Sequence, residues 1–295
     1  DDSAKRALEE HLKRMGLRGN VDATEEPGYY KVTYILQETP KVSIIIPNRD
    51  HADELERCIN SIITKTSYGK FEIIIVENGS CENETFALYE KFKKINNIQI
   101  IEWEHPFNYS AVNNFAEGYA QGEVLLFLNN DTEVINFDWL ERMLDHAVRK
   151  DVGAVGAKLY YPDHTIQHAG LVTGICGIVG YCHKFFPGES SGYMRRMKIV
   201  QNFSAVTAAC LMLREEIFQE VGGFDDRFSL NFNDVDLCLK IREKGYVIVW
   251  TPYAELYHFE SRTRACDDNL RPTFRQEKRF FQQKWKKIFE KSDPY

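Results

Sequence analysis

The segment from residue 122 to residue 134, G-E-V-L-L-F-L-N-N-D-T-E-V, constrains the fold of this chain most strongly. Its apolar run, Val124–Leu128, contains no polar residue, which is typical of a strand buried on both faces in a parallel sheet. The run ends abruptly in Asn129, Asn130 and Asp131. Because ligands of open α/β sheets bind outside the carboxyl ends of the strands, we expect the chemistry of the protein at this position.

Apolar strand patterns and amphipathic helix patterns alternate from residue 41 onward. Strands are predicted at 42–46, 71–76, 98–103, 152–161, 210–213, 247–251 and 255–259, and helices around 55–63, 86–92, 110–120 (capped by Ser110), 138–149, 215–221 and 233–244. The glycine-rich segment 170–180 receives no assignment. Helices of this length between strands imply βαβ units with right-handed crossovers, so we predict an α/β protein with a mostly parallel central sheet.

The chain divides into a central domain and two flanking segments. Residues 1–40 carry a helical pattern at 4–15 and a strand pattern at 29–36, and we expect this arm to pack on the main domain, 41–265, or on a partner. Residues 266–295 form a basic amphipathic helix with an apolar stripe of Phe274, Phe281, Trp285 and Ile288. Such a helix docks on protein or lies on anionic lipid, and docking within its own fold or oligomer is favoured.

Composition excludes several classes of protein. The net charge of −7 and pI of 5.7 argue against a general nucleic-acid binder, which needs a basic face. The 7 cysteines are scattered without a C-x-x-C pair, which favours a reducing cytoplasm over a disulfide framework or zinc knuckle. No apolar run is long enough to span a membrane, so we expect a cytoplasmic protein, with peripheral contact at the inner membrane face as the open alternative. Position 1 is Asp rather than Met, and we expect further domains in a longer parent chain.

Common nucleotide-binding motifs are missing at the positions where they would act. There is no P-loop sequence, and the turn after the first strand lacks G-x-G-x-x-G. Polar clusters remain at strand ends and helix starts: Asn48-Arg49-Asp50, Glu77-Asn78-Gly79-Ser80, Asn129-Asn130-Asp131, Asn233-Asp234-Val235-Asp236, and His258 with Arg262 and Arg264.

Together these clusters resemble the inverting glycosyltransferases of family 2, which have the GT-A fold. The likeness runs from about residue 41 to 264. The residues that flank the motifs are similar to those of the branch that builds bacterial surface glycans. The residues that carry it are V-S-I-I-I-P-N at 42–48, E-I-I-I-V-E-N-G-S at 72–80, L-F-L-N-N-D-T-E-V at 126–134, V-G-G-F-D at 221–225, F-N-D-V-D-L-C-L-K at 232–240 and H-F-E-S-R at 258–262.

The resemblance implies a divalent cation, Mn²⁺ or Mg²⁺, held by Asp131 and His258. Carboxylates and substrate phosphate oxygens suit both ions, whereas a neutral imidazole suits Mn²⁺ better. The family usually has acids at the places of Asn129 and Asn130, so the metal affinity without nucleotide should be poor. The alternatives are that Asp131 only caps a helix and that His258 is a structural histidine.

The resemblance also assigns a general base. Asp234 matches the second residue of the family's acid pair, and its predecessor here is Asn233 rather than Glu. A positioned carboxylate can take the proton of the attacking hydroxyl. Asp236 is the weaker choice, and a purely structural Asp234 that caps its helix is the alternative.

Nucleotide recognition would fall to the loops after the first two strands. The resemblance places Glu77 at the base or ribose and Asn130 near the ribose, and Gly79 allows close backbone approach. The full set of expected nucleotide contacts is Pro47, Asn48, Arg49, Asp50, Glu77, Gly79, Asn130, Arg262 and Arg264. The last two could clamp the diphosphate through forked hydrogen bonds or belong to a solvated basic loop.

Three hypotheses follow. The first is a metal-dependent inverting transferase that moves a sugar from a nucleotide diphosphate sugar to a hydroxyl of a glycan, glycoprotein or lipid-linked acceptor. A UDP-hexose or UDP-N-acetylhexosamine donor is favoured, and a dTDP-sugar stays open. The second is a catalytically idle GT-A module for carbohydrate binding or assembly. The third is a sugar-phosphate nucleotidylyltransferase, which should carry a glycine-rich basic loop after the first strand.

Overall fold

The computed structural model describes residues 2–36, 38–260 and 272–295. Its helices are α1 Asp2–Arg14, α2 Ala52–Thr64, α3 Asn83–Phe92, α4 Tyr109–Glu117, α5 Trp139–Ala147, α6 Glu215–Glu220, α7 Asn233–Glu243, α8 Pro272–Lys284 and α9 Lys286–Phe289. Its strands are β1 Gly19–Ala23, β2 Tyr30–Tyr34, β3 Val42–Asn48, β4 Phe71–Glu77, β5 Ile98–Glu102, β6 Val124–Leu128, β7 Thr132–Val134, β8 Val152–Tyr160, β9 Ile166–His168, β10 Leu171–Thr173, β11 Val179–Tyr181, β12 Gln201–Phe203, β13 Cys210–Arg214 and β14 Val247–His258.

The central sheet has the strand order β12-β14-β8-β13-β6-β3-β4-β5, with β7 paired to β14 and β9 to β8. Strands β6, β3, β4 and β5 are parallel neighbours, as are β8 and β14, whereas β13 runs antiparallel between β6 and β8. The prediction of an α/β protein with a mostly parallel sheet is confirmed.

The hydrophobic core lies on both faces of this sheet because successive side chains of a strand point to opposite faces. Leu126 and Leu128 of β6 pack in the cluster beneath α2, whereas Leu125 and Phe127 pack in the cluster that also contains α7. All of β6 is buried. The predicted two-sided burial of this strand is therefore confirmed, and the polar residues after it must leave the core together at the carboxyl edge.

Several predicted boundaries differ from the structure. Strand β3 continues through Pro47 to Asn48, since β6 pairs with β3 only up to Ile45 and leaves the proline beside an open strand edge. Helix α4 is capped by Asn108, whose side chain accepts the N–H of Ala111. The predicted cap, Ser110, is instead buried, and its hydroxyl donates to the carbonyl of Phe228 at 2.6 Å.

Other differences concern the number of strands. Strand β14 is one element with an irregular register between Trp250 and Glu255, where the sequence predicts two strands. The glycine-rich segment forms the hairpin β10–β11 and a short 3-10 turn. The N-terminal arm contains a hairpin, β1–β2, of which only the second strand is predicted.

Both flanking segments contact the main domain. The arm packs on α5, where the ring centroids of Tyr34 and His146 are 5.5 Å apart. In the C-terminal segment Phe281 and Trp285 are buried in the same core cluster as β13, and the indole N–H of Trp285 donates to Asp236 at 2.8 Å. In the structure, this helix therefore docks on its own fold. None of the helices within the described ranges is long and apolar enough to cross a bilayer.

Candidate active site

Asp131 and His258 come together at the carboxyl edge of the sheet. Strand β14 pairs with β7 so that His258 lies opposite Thr132, and the N–H of Phe259 donates to the carbonyl oxygen of Asp131 at 2.9 Å. This pairing brings Asp131 Oδ1 to 3.1 Å from His258 Nε2. The two residues are only 5% and 7% exposed. A carboxylate and an imidazole far apart in sequence thus form one buried pair.

Two amide side chains surround the imidazole of His258. Gln167 Nε2 lies 2.6 Å from its Nδ1, and Asn129 Nδ2 lies 3.2 Å from its Nε2. Gln167 stands on β9 and lies outside the polar clusters that predict the site from the sequence. The only sequence signal is its place in Q-H-A-G, and no periodicity indicates that β9 folds back beside β14.

Asp234 lies in the first turn of α7, where the helix dipole favours a negative charge. Its Oδ2 accepts the backbone N–H of Ala208 at 3.2 Å, and its Oδ1 accepts the N–H of Val235 at 2.8 Å. Asp236 points the other way and is fully buried against the C-terminal helix. Of the two acids, Asp234 alone lies half-exposed beside the sheet edge.

A short segment of backbone, Ala208 and Ala209, connects the end of β6 with the start of α7. Because β13 runs antiparallel to β6, its first residue, Cys210, lies opposite Leu128. The N–H of Asn129 donates to the carbonyl of Ala209 at 3.1 Å, and the N–H of the preceding residue, Ala208, donates to Asp234. The asparagine-rich end of β6 and the acidic start of α7 therefore flank the same stretch of backbone.

The loops after β3 and β4 form one hydrogen-bonded unit. Asn130 donates to Asn48 Oδ1 at 2.7 Å, and Asn48 donates to the hydroxyl of Tyr89 at 2.8 Å. The Tyr89 hydroxyl in turn donates to Glu77, which also accepts the N–H and hydroxyl of Ser80. Burial and the Glu77 carboxylate raise the pKa of Tyr89. Both carboxylate oxygens of Glu77 thus have partners within the protein, and its contact with a nucleoside stays a prediction.

The other predicted nucleotide contacts differ in exposure. Asp50 accepts the backbone N–H groups of Cys81 and Glu82 at 2.7 and 2.9 Å, and these bonds lower the pKa of its carboxyl. Gly79 has φ +71° with open space where a side chain would project. Pro47 is half-buried and Arg49 is exposed. Arg262 and Arg264 lie outside the described residues.

Comparison with known proteins decides the family. Residues 43–222 match the model described as glycosyl transferase family 2, and residues 157–288 match glycosyl transferase family group 2. The chain belongs to glycosyltransferase family 2. Its sequence is 46% identical over 291 residues to the uncharacterized protein y4gI of Sinorhizobium fredii, covering 97% of this chain and 32% of that protein. It is 43% identical over 263 residues to the O-antigen biosynthesis protein RfbC of Myxococcus xanthus, covering 89% of this chain and 20% of that protein.

Two points follow for this family 2 domain. The chain spans only a third or less of the length of these relatives. The fold is that of the GT-A enzymes: the structure of GalNAc-T7 with UDP, GalNAc and Mn²⁺ superposes with a TM-score of 0.64 at 15% identity, covering 81% of this chain and 47% of that one. The mannosyltransferase PcManGT of Pyrobaculum calidifontis, with GDP-Man and Mn²⁺, gives 0.58 at 16% identity, covering 89% and 66%. The GT-A prediction is confirmed.

The distance within the buried Asp131–His258 pair is compatible with two neighbouring ligands of one divalent cation. Ligand atoms at about 2.1 Å in octahedral geometry lie about 3 Å from their neighbours. Asp131 Oδ1 and His258 Nε2 are 3.1 Å apart. Within the described ranges no group of three or more His, Cys, Asp or Glu side chains could hold a metal. If Asp131 and His258 held such an ion, the other positions would be left to substrate oxygens and water, as for an ion that binds together with a nucleotide.

Proposed function

We propose that this family 2 domain is a metal-dependent, inverting glycosyltransferase that acts on a nucleoside diphosphate sugar. Its acceptor would be a hydroxyl of a glycan, glycoprotein or lipid-linked sugar made for the bacterial cell surface. The observation that carries the proposal is the buried Asp131–His258 pair beside Asn129, whose backbone is connected to Asp234 through Ala209 and Ala208. The similarity to an O-antigen biosynthesis protein supports the acceptor class.

We assign each of these residues a chemical role from its position in the site. Asp131 and His258 would hold Mn²⁺ or Mg²⁺, which when bound neutralises the charge that develops on the departing diphosphate. Asp234 would accept the proton of the acceptor hydroxyl while that oxygen forms its bond to the anomeric carbon and the bond from this carbon to the diphosphate breaks. One displacement of this kind inverts the anomeric configuration. The backbone N–H bonds to Asp234 keep its carboxylate oriented while it takes the proton.

The donor diphosphate would lie between the Asn48–Asn130 pair and the cation ligands. The Asn130–Asn48 and Asn48–Tyr89 hydrogen bonds fix this rim before any ligand arrives. Preorganised donors reduce the ordering cost of binding. A uridine diphosphate hexose or N-acetylhexosamine is our first candidate donor, followed by a dTDP-sugar.

Nucleotide release tests the proposal. The protein is incubated with Mn²⁺, a panel of UDP-, dTDP- and GDP-sugars, and surface-glycan oligosaccharides, and the released nucleoside diphosphate is measured with and without acceptor. We expect release that depends on Mn²⁺ and increases with acceptor, and a product of inverted anomeric configuration by NMR. Release of pyrophosphate would instead indicate a nucleotidylyltransferase. Binding of nucleotide without turnover on any acceptor would favour an idle module.

A further inference from the structure

We propose that Glu277 of the C-terminal helix α8 is a positioning residue, whose carboxylate holds the loop 229–231 and thereby fixes the place of Asp234. This inference rests on the proposed function, because Asp234 is the proposed general base. It assigns a role in the reaction to α8, which the proposed mechanism does not use.

The carboxylate of Glu277 accepts five hydrogen bonds from three consecutive residues. Its Oε1 accepts the N–H of Ser229 at 2.6 Å, the hydroxyl of Ser229 at 2.8 Å and the N–H of Leu230 at 3.0 Å. Its Oε2 accepts the N–H and the side-chain amide of Asn231 at 3.0 and 2.8 Å. Successive N–H groups that converge in this way form an anion-binding concavity. Here a side chain of the protein, only 3% exposed, fills it.

The spacing of residues on α8 places two aromatic rings beside this carboxylate. Phe274 and Phe281 stand one helical turn before and one after Glu277, so the three side chains share one face of the helix. The ring of Phe232 stacks on that of Phe281, with centroids 4.9 Å apart and an interplanar angle of 17°. Its centroid is also 5.5 Å from that of Phe274. Helix α8 thus holds both the loop and the residue that follows it.

Phe232 is the residue at which the loop enters α7. Its φ is +64°, a left-handed conformation that residues other than glycine rarely adopt, and its side chain makes no capping hydrogen bond. Because this conformation is unfavourable by itself, it persists only where surrounding contacts enforce it. A loop released from Glu277 would let Phe232 relax, and the first turn of α7, which carries Asp234, would move with it.

The loop is also tied to the backbone that contacts Asp234. The N–H of Tyr109 donates to the carbonyl of Ser229 at 2.8 Å, and the hydroxyl of Tyr109 donates to the carbonyl of Ala208 at 3.1 Å. The N–H of Ala208 in turn donates to Asp234 Oδ2 at 3.2 Å. The loop that Glu277 holds therefore defines where the Asp234 carboxylate lies at the sheet edge.

The kinetics of nucleoside diphosphate release test this role with Glu277→Gln. The amide has nearly the same shape but only one acceptor oxygen, so one side of the loop loses its acceptor. Since a displacement of about 1 Å at the reacting groups can cost about 100-fold in rate, we expect kcat to fall about 10- to 100-fold. The KM for the nucleotide sugar should stay close to the wild-type value, because the proposed donor contacts lie on other loops. Turnover close to wild type would overturn the inference.

A second comparison shows whether Glu277 acts through Asp234. In the Asp234→Asn background the proposed base is absent, so Glu277→Gln should change the residual rate by less than about twofold. A loss by the same factor in both backgrounds would mean that Glu277 acts independently of Asp234, and it would overturn the inference.

Glu72→Gln is the matched control. The carboxylate of Glu72 also accepts several bonds, among them the hydroxyl of Ser43 at 2.6 Å and the N–H of Gln121 at 2.7 Å. Glu72 lies at the amino end of β4, at the edge of the sheet opposite the candidate site. This variant should lose stability and keep its kcat. An equal fall of kcat in both variants would overturn the inference, because any loss of stability would then slow the enzyme.

Hydrogen exchange of the Ala208 N–H, followed by NMR, tests the placement without substrate. We expect this N–H to exchange at least about tenfold faster in Glu277→Gln than in Glu72→Gln, and equal exchange would overturn the inference. Melting curves give a temperature at which both variants are folded. If Glu277→Gln does not fold, Asn231→Ala, which removes only the side-chain donor to Oε2, takes its place with the same expected directions.

The exchange arm separates this inference from the proposed function. A wild type that transfers no sugar, together with faster exchange in Glu277→Gln, would support the placing of Asp234 by Glu277 and count against the proposed function. An inactive Asp234→Asn with wild-type turnover in Glu277→Gln would overturn the inference and leave the function standing.

Discussion

Replacement of Asp234 by Asn should affect the transfer reaction, whereas replacement of Asp236 by Asn should affect stability, although the two residues stand two positions apart on α7. Asp234 is half-exposed at the sheet edge, whereas Asp236 is fully buried. Asp236 Oδ1 contacts Lys284 Nζ at 2.6 Å and the indole nitrogen of Trp285 at 2.8 Å. We therefore expect Asp234→Asn to impair transfer with an unchanged fold, and Asp236→Asn to destabilise the fold.

The expected loss at Asp234 comes from the general-base contribution. A positioned base accelerates a reaction by roughly 10²- to 10⁴-fold, which corresponds to about 3–5 kcal/mol in the activation free energy. An asparagine has the same shape, and its amide oxygen can still accept the N–H of Ala208. Nucleotide binding should therefore stay close to the wild-type value. The melting temperature should fall by no more than a few degrees, because Asn keeps one of the two backbone N–H bonds and loses a charge–dipole interaction of about 0.3–1 kcal/mol.

The expected loss at Asp236 comes from a buried ion pair. Removal of one partner of such a pair usually costs about 3–5 kcal/mol, since the other charge is left uncompensated. Lys284 keeps a second carboxylate, Asp225, at 2.8 Å, so we expect a smaller loss of about 2 kcal/mol. For a chain of 295 residues that is a decrease in melting temperature of roughly 3 °C.

The assay measures both properties on each variant. Nucleoside diphosphate release with donor and acceptor gives the transfer rate, and differential scanning calorimetry gives the melting temperature. Turnover within threefold of wild type in Asp234→Asn would remove this residue from the role of base. If Asp234→Asn lost activity and also melted far below wild type, the loss would reflect unfolding. An unchanged melting temperature in Asp236→Asn would refute the argument from its buried contacts.

Three further substitutions test the packing of the fold. Phe281→Ala should lower the free energy of unfolding by about 3–5 kcal/mol in urea titrations, because the ring is fully buried in the main core; a change below 1 kcal/mol would mean that α8 is dispensable. Gly153→Ala should cost about 1–3 kcal/mol in the same titration, because its new Cβ would lie 2.1 Å from Ile241 Cγ2, and wild-type stability would contradict this close contact. Burial lowers the pKa of His146 to about 3, so the unfolded chain binds its proton first and stability falls as the pH drops below 6.5. Between pH 7 and pH 5, His146 should lower the free energy of unfolding by about 2 kcal/mol. The His146→Gln variant should therefore lose about 2 kcal/mol less than the wild type on acidification, and equal losses in the two proteins would refute this role of His146.

The sequence predicts the sheet well because its inner strands are continuous apolar runs, and runs such as β6 have few other structures open to them. It also predicts that Asp131 and Asp234 stand at the ends of such elements. It fails where neighbours far along the chain decide the structure. Serine is a residue type that often caps helices, yet the hydroxyl of Ser110 donates to the carbonyl of Phe228 instead. Pro47 looks like a strand end, but the short pairing of β6 lets the strand continue.

The contacts of the site are even less visible in the sequence. Gln167 reaches His258 because β9 folds back on β8, and three-residue strands carry no clear periodicity. The partners of Glu77 are hidden for a different reason. A motif shows that an acid is present, but it does not show whether Tyr89 and Ser80 already use its oxygens.

The occupied carboxylate of Glu77 changes how nucleotide recognition is best tested. Its hydrogen bonds connect it through Tyr89 to Asn48 and from there to Asn130, so one hydrogen-bonded network joins the loops after β3, β4 and β6. A substitution at Glu77 would therefore disturb this network whether or not the acid contacts a base. Removal of the Tyr89 hydroxyl breaks the connection and leaves the acid in place. A loss of nucleotide affinity in Tyr89→Phe would thus report the preorganisation of the rim, separately from any direct contact made by Glu77.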